Sequence, residues 1–305
     1  MGEEKKPIYQ QVHFPEMIRS HHMLSDSASN ETYHMHDSFE LFLFLKGNVD
    51  YYIDRHRYHL KRGNLLLINS SEIHRVKILD GMPYERIATH FDPELARRFS
   101  TSDSDLLACF EKRRAGEGNL LYLDSVCLEK YLSLADQLHT ALVDRRFGRD
   151  VLARTCLIQM LILANTCFYS LSYQTNNTMP QLSGQIMAYI HEHLCQPLTV
   201  QELAEQVHLD PSYLSRRFKE QAGCSIREYI ILKRISLAKE LLRQGKTVTE
   251  VCQASGFHDY ANFIRTFKKH AGLPPGQYRR QTERGLLTEN KLPYGSVCPH
   301  SVIIS

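Results

Sequence analysis

Two groups of residues in the 305-residue chain have types and spacings that could do chemistry. The first is His34-Met35-His36, then Glu40, then Gly47, a pattern H-x-H-x3-E-x6-G, with His74 further on after Gly63. Imidazoles and a carboxylate can hydrogen-bond the hydroxyls of a polar ligand. Three His and one Glu are also a complete ligand set for a first-row divalent metal. In an extended strand alternate side chains share a face. His34, His36, Glu40, Phe42 and Phe44 therefore point one way, and Leu41, Leu43 and Leu45 the other. The second group lies near the C-terminus. Ser212, Ser215, Arg216 and Lys219 fall at helical spacing, and so do Ala261, Asn262, Arg265 and Lys268. Arg suits the N7 and O6 of guanine, Asn suits adenine, and hydroxyls and Lys suit phosphates. Arg216 and Arg265 are the principal candidates to read bases.

Elements must position both groups. From Tyr33 to Phe91 the chain reads as short strands, at Phe39–Leu45, Val49–Ile53, Leu65–Ile68, Arg75–Ile78 and Arg86–His90. Turn signals at Gly47-Asn48 and Arg62-Gly63-Asn64 separate them, which predicts an antiparallel barrel or sandwich. From Ser125 to Ser172 the period becomes helical. Leu128, Tyr131, Ala135, Leu138 and Leu142 form one 3-4 stripe, and Leu157, Leu161, Ala164, Phe168 and Leu171 another. The stripes predict a helical hairpin that dimerises the chain, or one that only packs on its own sheet. The polar stretch Tyr173–Met179, before Pro180, reads as a linker. Helical patterning resumes from Ser183 to His270.

The helical C-terminal region repeats itself. Phe218-Lys219-Glu220-Gln221-Ala222-Gly223 matches Phe267-Lys268-Lys269-His270-Ala271-Gly272, and Thr199-Val200-Gln201-Glu202-Leu203 matches Thr247-Val248-Thr249-Glu250-Val251. Thr199 and Thr247 are N-cap candidates with Glu202 and Glu250 completing capping boxes. Each copy then has a short helix, a turn (Val207–Asp210; Ser255–Asp259) and a second helix, the grammar of a helix-turn-helix. Ile226–Arg243 reads as one long amphipathic helix between the copies. At ~1.5 Å per residue it spans about 27 Å, so with the flanking half-helices two reading helices can lie about one DNA turn apart.

Composition agrees with this division. Net charge is only +3. Residues 181–280 nevertheless hold 14 Lys+Arg against 9 Asp+Glu, while residues 1–180 hold 21 against 23. A 43% hydrophobic content excludes a wholly disordered chain. The 8 Cys include no C-x-x-C, which argues against a zinc ribbon or disulfide framework and fits a reducing cytoplasm. The N-terminus has no apolar signal region, and the longest apolar run, Leu157–Tyr169, is broken by Gln159 and Asn165, so no membrane partner is expected.

Residues 183–280 resemble the DNA-binding region of the AraC/XylS family. The resemblance rests on Tyr213-Leu214-Ser215-Arg216-Arg217-Phe218-Lys219, Arg234…Ala238…Leu241-Leu242, Gly256-Phe257, Asn262-Phe263…Arg265-Thr266-Phe267-Lys268-Lys269 and Pro274-Pro275-Gly276-Gln277-Tyr278-Arg279. It adds Tyr213 to the expected DNA-contacting residues. His208 stands where a Gly is usual in the first turn, and Cys252 where a small Ala is usual. The His34…Gly47 and Gly63…His74 segments resemble the two motifs of the cupin barrel, the second with Asn69 where a Pro is usual. Sensor domains of the AraC/XylS family are themselves cupin-like and often keep such residues without using a metal. The resemblance therefore implies an α+β chain: a cupin-like β-barrel with a helical hairpin, then an all-α domain with two helix-turn-helix motifs joined by a long helix. The expected divisions are 1–172 for sensing and dimerisation, 173–182 as linker, 183–280 for DNA binding and 281–305 as tail. His34, His36, Glu40, Phe42 and His74 are read as an effector pocket, suited to a sugar, with no metal, cofactor or enzyme activity. Arg19, His13 and Tyr33 are possible added contacts. Double-stranded DNA, a second copy of the chain and, for an activator, RNA polymerase are the expected partners. The competing readings are a metal-dependent cupin enzyme with an accessory DNA-binding domain and a constitutive DNA-binding regulator with a vestigial sensor.

Overall fold

Apolar alternation along short runs builds the first half of the chain. The computed structural model describes residues 12–13, 18–25, 32–113, 116–170, 177–178 and 181–283. Its elements begin with β1 (Val12–His13), β2 (Ile18–Ser25), β3 (Phe39–Lys46), β4 (Val49–Ile53), β5 (His56–His59), β6 (Asn64–Ile68), β7 (His74–Ile78) and β8 (Tyr84–Phe91). Then come α1 (Pro93–Arg97), α2 (Ala108–Glu111), β9 (Leu120–Tyr122), α3 (Ser125–Val143), α4 (Arg149–Ser170) and β10 (Asn177–Thr178). The strands form two antiparallel sheets, β1-β2-β8-β3-β6-β9 and β10-β5-β4-β7. The five strands expected from the sequence are present; β2 and β5 escaped notice because their histidines mask the alternation.

Strand β3 divides the core. Leu41, Leu43 and Leu45 pack outward against α2, α3 and α4, while Phe42 and Phe44 join Tyr51, Leu66, Val76 and Tyr84 between the sheets. The α3 and α4 stripes face this same core: Tyr131, Leu138, Leu142, Leu157, Leu161 and Ala164 are all buried. The stripes thus serve intrachain packing, not a coiled-coil seam; Leu171 lies outside the described residues. By length and composition α4 could cross a membrane, at 22 residues and mean hydropathy 1.6, but half of that window is buried inside the fold. Asn165, one of its polar interruptions, is an anchor: its Oδ1 accepts from Cys109 N at 3.0 Å and its Nδ2 donates to Leu106 O at 2.9 Å. Within the expected linker, Asn177 and Thr178 pair with Arg57 and His56, so part of it is a sheet edge.

The second half is helical: α5 (Gln181–Glu192), α6 (Val200–Gln206), α7 (Pro211–Ala222), α8 (Ile226–Arg243), α9 (Val248–Ala254), α10 (Tyr260–Ala271) and α11 (Pro275–Glu283). Both expected capping boxes form, at Thr199–Glu202 and Thr247–Glu250, and Ser225–Glu228 supplies a third at the start of α8. Pro211 opens α7 and left-handed Gly223 and Gly272 close α7 and α10. The turn residues correspond: His208 has φ 53° where the second copy has Gly256 at φ 82°. A left-handed L-residue costs roughly 1–2 kcal/mol, partly offset by the freedom glycine adds to the unfolded chain. His208→Gly should therefore stabilise the protein by about 0.5–1 kcal/mol in denaturant melts; a lower midpoint would show that the imidazole makes a compensating contact. The tail beyond residue 283 lies outside the described residues.

Candidate functional site

Cross-strand register assembles a cage of histidines about one carboxylate. Glu40 on β3 lies opposite His90 on β8 and is itself buried. His36 Nε2 is 3.1 Å, and His74 Nε2 3.6 Å, from Glu40 Oε2; His90 Nε2 is 3.8 Å from Oε1. A short bridge through His34 N–His74 O and His74 N–His34 O, each 3.0 Å, holds the segment before β3 against β7. The His36 and His90 rings approach to 4.7 Å, and those of His36 and His74 to 4.9 Å.

The sequence-derived set is only partly gathered here. His36, Glu40 and His74 meet, and His34 lies at the rim: it is exposed and hydrogen-bonds the Thr32 carbonyl, with its ring centroid 4.3 Å from that of His74. His90 joins them at Glu40, which spacing alone did not reveal because it lies fifty residues beyond Glu40; nine histidines in the first hundred residues were the available signal. Phe42 is 3% exposed, tilted against the Tyr51 ring at 4.7 Å with the Arg86 guanidinium 6.0 Å over its own ring, so it fills the barrel core below the cage. Arg19 follows His90 on the same face, one strand further out. His13 is placed only as part of β1.

The electrostatics follow from burial. Burial pushes His74 well below the usual imidazole range and His90 down to about 3, outweighing the pull of Glu40, so both rings are neutral at neutral pH. Burial alone would raise Glu40, but His90, His36 and His74 outweigh it and hold the carboxyl below its ordinary range.

The positions beside the cage residues face the helical half. Asp37 binds Lys239 Nζ at 3.0 Å, Arg243 at 3.4 Å and the Tyr278 hydroxyl at 2.9 Å. Arg75 lies between the rings of Tyr33 and Tyr52, 5.2 and 4.2 Å from their centroids, and donates to Gln221 O at 3.3 Å at the end of α7. A Cβ at Gly223 would sit 2.6 Å from the Arg75 guanidinium, so glycine serves both the turn and this approach. Asp54 pairs with buried Lys233, 3.0 Å away on α8. None of these contacts was legible in the sequence.

The two reading helices present matched faces. On α7, Leu214 and Phe218 are buried while Ser212, Tyr213, Arg216 and Lys219 are exposed; on α10, Phe263 and Phe267 are buried while Ala261, Asn262, Arg265 and Lys268 are exposed. Asp210 accepts from Ser212 N and Tyr213 N, and Asp259 from Asn262 N, fixing where each helix begins. Arg216 lies 5.6 Å from the Tyr213 ring centroid. Half-buried Ser215 donates its hydroxyl to Pro211 O at 2.8 Å, and Asn262 Oδ1 accepts from the Thr266 hydroxyl at 3.4 Å, so these two members of the set are already engaged.

Comparison with known proteins agrees with both halves. Residues 20–161 match the family model described as an AraC-like ligand binding domain, and residues 203–281 match a helix-turn-helix domain. YobQ of Bacillus subtilis, an uncharacterized HTH-type transcriptional regulator, is 44% identical over 94 residues, 30% of this chain and 39% of YobQ. YtdP of the same organism, also an uncharacterized HTH-type transcriptional regulator, is 37% identical over 101 residues, 33% of this chain and 13% of YtdP. The chain thus spans less than half the length of either relative. The solved C-terminal domain of AraT, a response regulator from Geobacillus stearothermophilus, is 29% identical, covering 40% of this chain and 97% of that one at a TM-score of 0.33. With an AraC-like ligand binding match over residues 20–161 and, over residues 203–281, a helix-turn-helix match that contains both reading helices, the chain belongs to the AraC/XylS family of transcriptional regulators.

Proposed function

We propose that the protein is a sequence-specific, double-stranded-DNA-binding regulator whose DNA binding answers to a small ligand held in the barrel. The ligand-responsive part of this reading is carried by one observation: cage and contact residues alternate. His34 follows Tyr33, Asp37 follows His36, and Arg75 follows His74; the histidines serve the cage side, while Tyr33, Asp37 and Arg75 touch the helical half. Moving a histidine to meet a ligand moves a contact to α7, α8 or α11. A binding preference between the docked and released arrangements is what coupling requires.

Binding selections from random DNA would supply a specific site. On it, Arg216→Ala should cost about 1–3 kcal/mol and relax one base position. Equal loss on unrelated DNA would make Arg216 a phosphate contact. Lys268→Ala should weaken all sequences alike and lower the salt slope by about one; an unchanged slope would remove it from the backbone contacts.

The remaining assignments belong to the same proposal. Residues 1–172 sense and dimerise, 173–182 connect, and 183–280 read DNA. The outer face of α4 supports a second copy as partner: Val151, Ile162 and Tyr169 are exposed, and Thr155–Ser170 contains no charged residue. The chain acts in the cytoplasm as an activator touching RNA polymerase, which a reporter assay separates from repression. His34, His36, Glu40 and His74, above Phe42, form the ligand site, and sugars are the first organic class to screen by thermal shift. A ligand at 100 times its Kd should add about 2.7 kcal/mol of stability.

A further inference from the structure

The two reading units have separate cores that share one helix. The first half of α8 gives Tyr229 and Ile230 to the core around Phe218, and its second half gives Ala238 and Leu242 to the core around Phe267. Among the described apolar side chains, only Met35 and Leu237 touch both cores. Apolar contact is non-directional, so two bodies joined along one helix can rock about it. Rocking would change the angle between α7 and α10. A directional tie away from the α8 axis is what prevents it.

Arg234 supplies such a tie. It lies on α8 where the cores divide, between Leu232 of one and Ile235 of the other. Its Nε donates to Leu194 O at 3.0 Å and its Nη2 to Gln196 O at 2.7 Å. Both carbonyls lie just past the C-terminus of α5, the end of a helix that favours a cation. A planar guanidinium fork can serve two carbonyls at once in fixed directions, which a lysine ammonium does not. The turn between α9 and α10 closes on the same loop. The Cys195 thiol donates to Ala254 O at 3.1 Å. A Cβ at Gly256 would lie 2.6 Å from Leu194 O, 2.9 Å from Arg234 Nε and 3.1 Å from Cys195 Cα. The loop after α5, the turn before α10 and α8 thus meet at one guanidinium.

We propose that Arg234 is a specificity-determining positioning residue: it locks the loop after α5 to the turn before α10, and so sets which spacing of the two DNA segments the protein accepts. Each base pair inserted between those segments moves the second by ~3.4 Å and turns it by about 35° around the duplex. A locked pair of reading helices cannot follow that step, whereas a pair free to rock follows part of it. This rests on α7 and α10 both reading DNA, as proposed above.

Full-length protein would be measured on its selected DNA site, and on the same site with one or two base pairs added to or removed from its middle. Arg234→Met keeps the apolar stem without the fork, and Arg234→Lys keeps the charge without the fork. The parent should lose about tenfold or more in affinity per step, and both variants only about two- to threefold. Affinity for a single half-site should not change. Far-UV circular dichroism identifies a variant that fails to fold, and the other then carries the test. A profile as steep as the parent's in either folded variant overturns the proposal. Equal loss at every spacing also overturns it, since that marks a residue that only supports folding or touches phosphate. A parent that binds all sequences alike overturns the sequence-specific reading and this inference with it. A parent that is specific but indifferent to spacing overturns this inference alone.

Discussion

Asp37→Ala should separate the sensor from the DNA-reading half. Asp37 is the shared acceptor for Lys239, Arg243 and Tyr278, and Lys239 is 1% exposed. Removing one partner of a buried ion pair typically costs about 3–5 kcal/mol, because the remaining charge stays desolvated. Here the cost has a ceiling. The helical half can undock and return Lys239 to water, so the loss cannot exceed the free energy of docking. The expected result is a melting curve that splits into two transitions, together with DNA affinity that no longer responds to ligand. Asp37→Glu should recover part of both; Asp37→Asn should not. A single unchanged transition with intact ligand response would eliminate Asp37 as the link. Acid should mimic the variant. Burial would raise the Asp37 carboxyl, but Lys239 and Arg243 outweigh it and lower it. A depressed folded value means that the contribution is present above the unfolded value, about 3.9, and is lost as pH falls through the folded one.

Arg113→Ala should destabilise the barrel by a similar 3–5 kcal/mol, with no escape by undocking. Its guanidinium and Glu72 are 1% and 0% exposed and meet at 2.5 Å. Glu72 also accepts from Asn69 N at 2.9 Å, Gly116 N at 2.6 Å and Asn119 Nδ2 at 3.0 Å, so the carboxylate ties its own turn to the segment that carries Arg113, Gly116 and Asn119. The Glu72 carbonyl also receives the His74 Nδ1 hydrogen. The variant should therefore lower both the melting temperature and the affinity of the cage for its ligand. Arg113→Met, of similar length and no charge, should not restore stability, because the buried carboxylate remains unpaired. A melting temperature within a degree or two of the parent would show that Glu72 protonates at little cost. Burial opposes ionisation of Glu72 and Arg113 outweighs it, leaving a depressed value. In the parent protein this contribution too should hold above the unfolded value, about 4.3, and fade in stronger acid.

What could be read from the sequence was encoded over a few residues. The capping boxes at Thr199 and Thr247, the Leu214/Phe218 and Phe263/Phe267 stripes and the inside–outside division of β3 depend on spacings of one to four positions. Helix and strand geometry turns such spacings directly into faces. The repeat then made the reading helices recognisable, because the same local grammar appears twice.

Tertiary structure decided which faces meet. Sheet register brought His90, not His34, to Glu40, and packing turned the α3 and α4 stripes into the chain's own core. Docking joined Asp37 to Lys239, Arg243 and Tyr278, residues some two hundred positions away. Register and docking are set by the sum of many weak burial terms over the whole fold, so no local spacing carries them. The sequence by itself thus determined that the chain has a half of short antiparallel strands and a half with two helix-turn-helix copies. Only the packed structure determined which side chains form the cage and how its neighbours reach the reader.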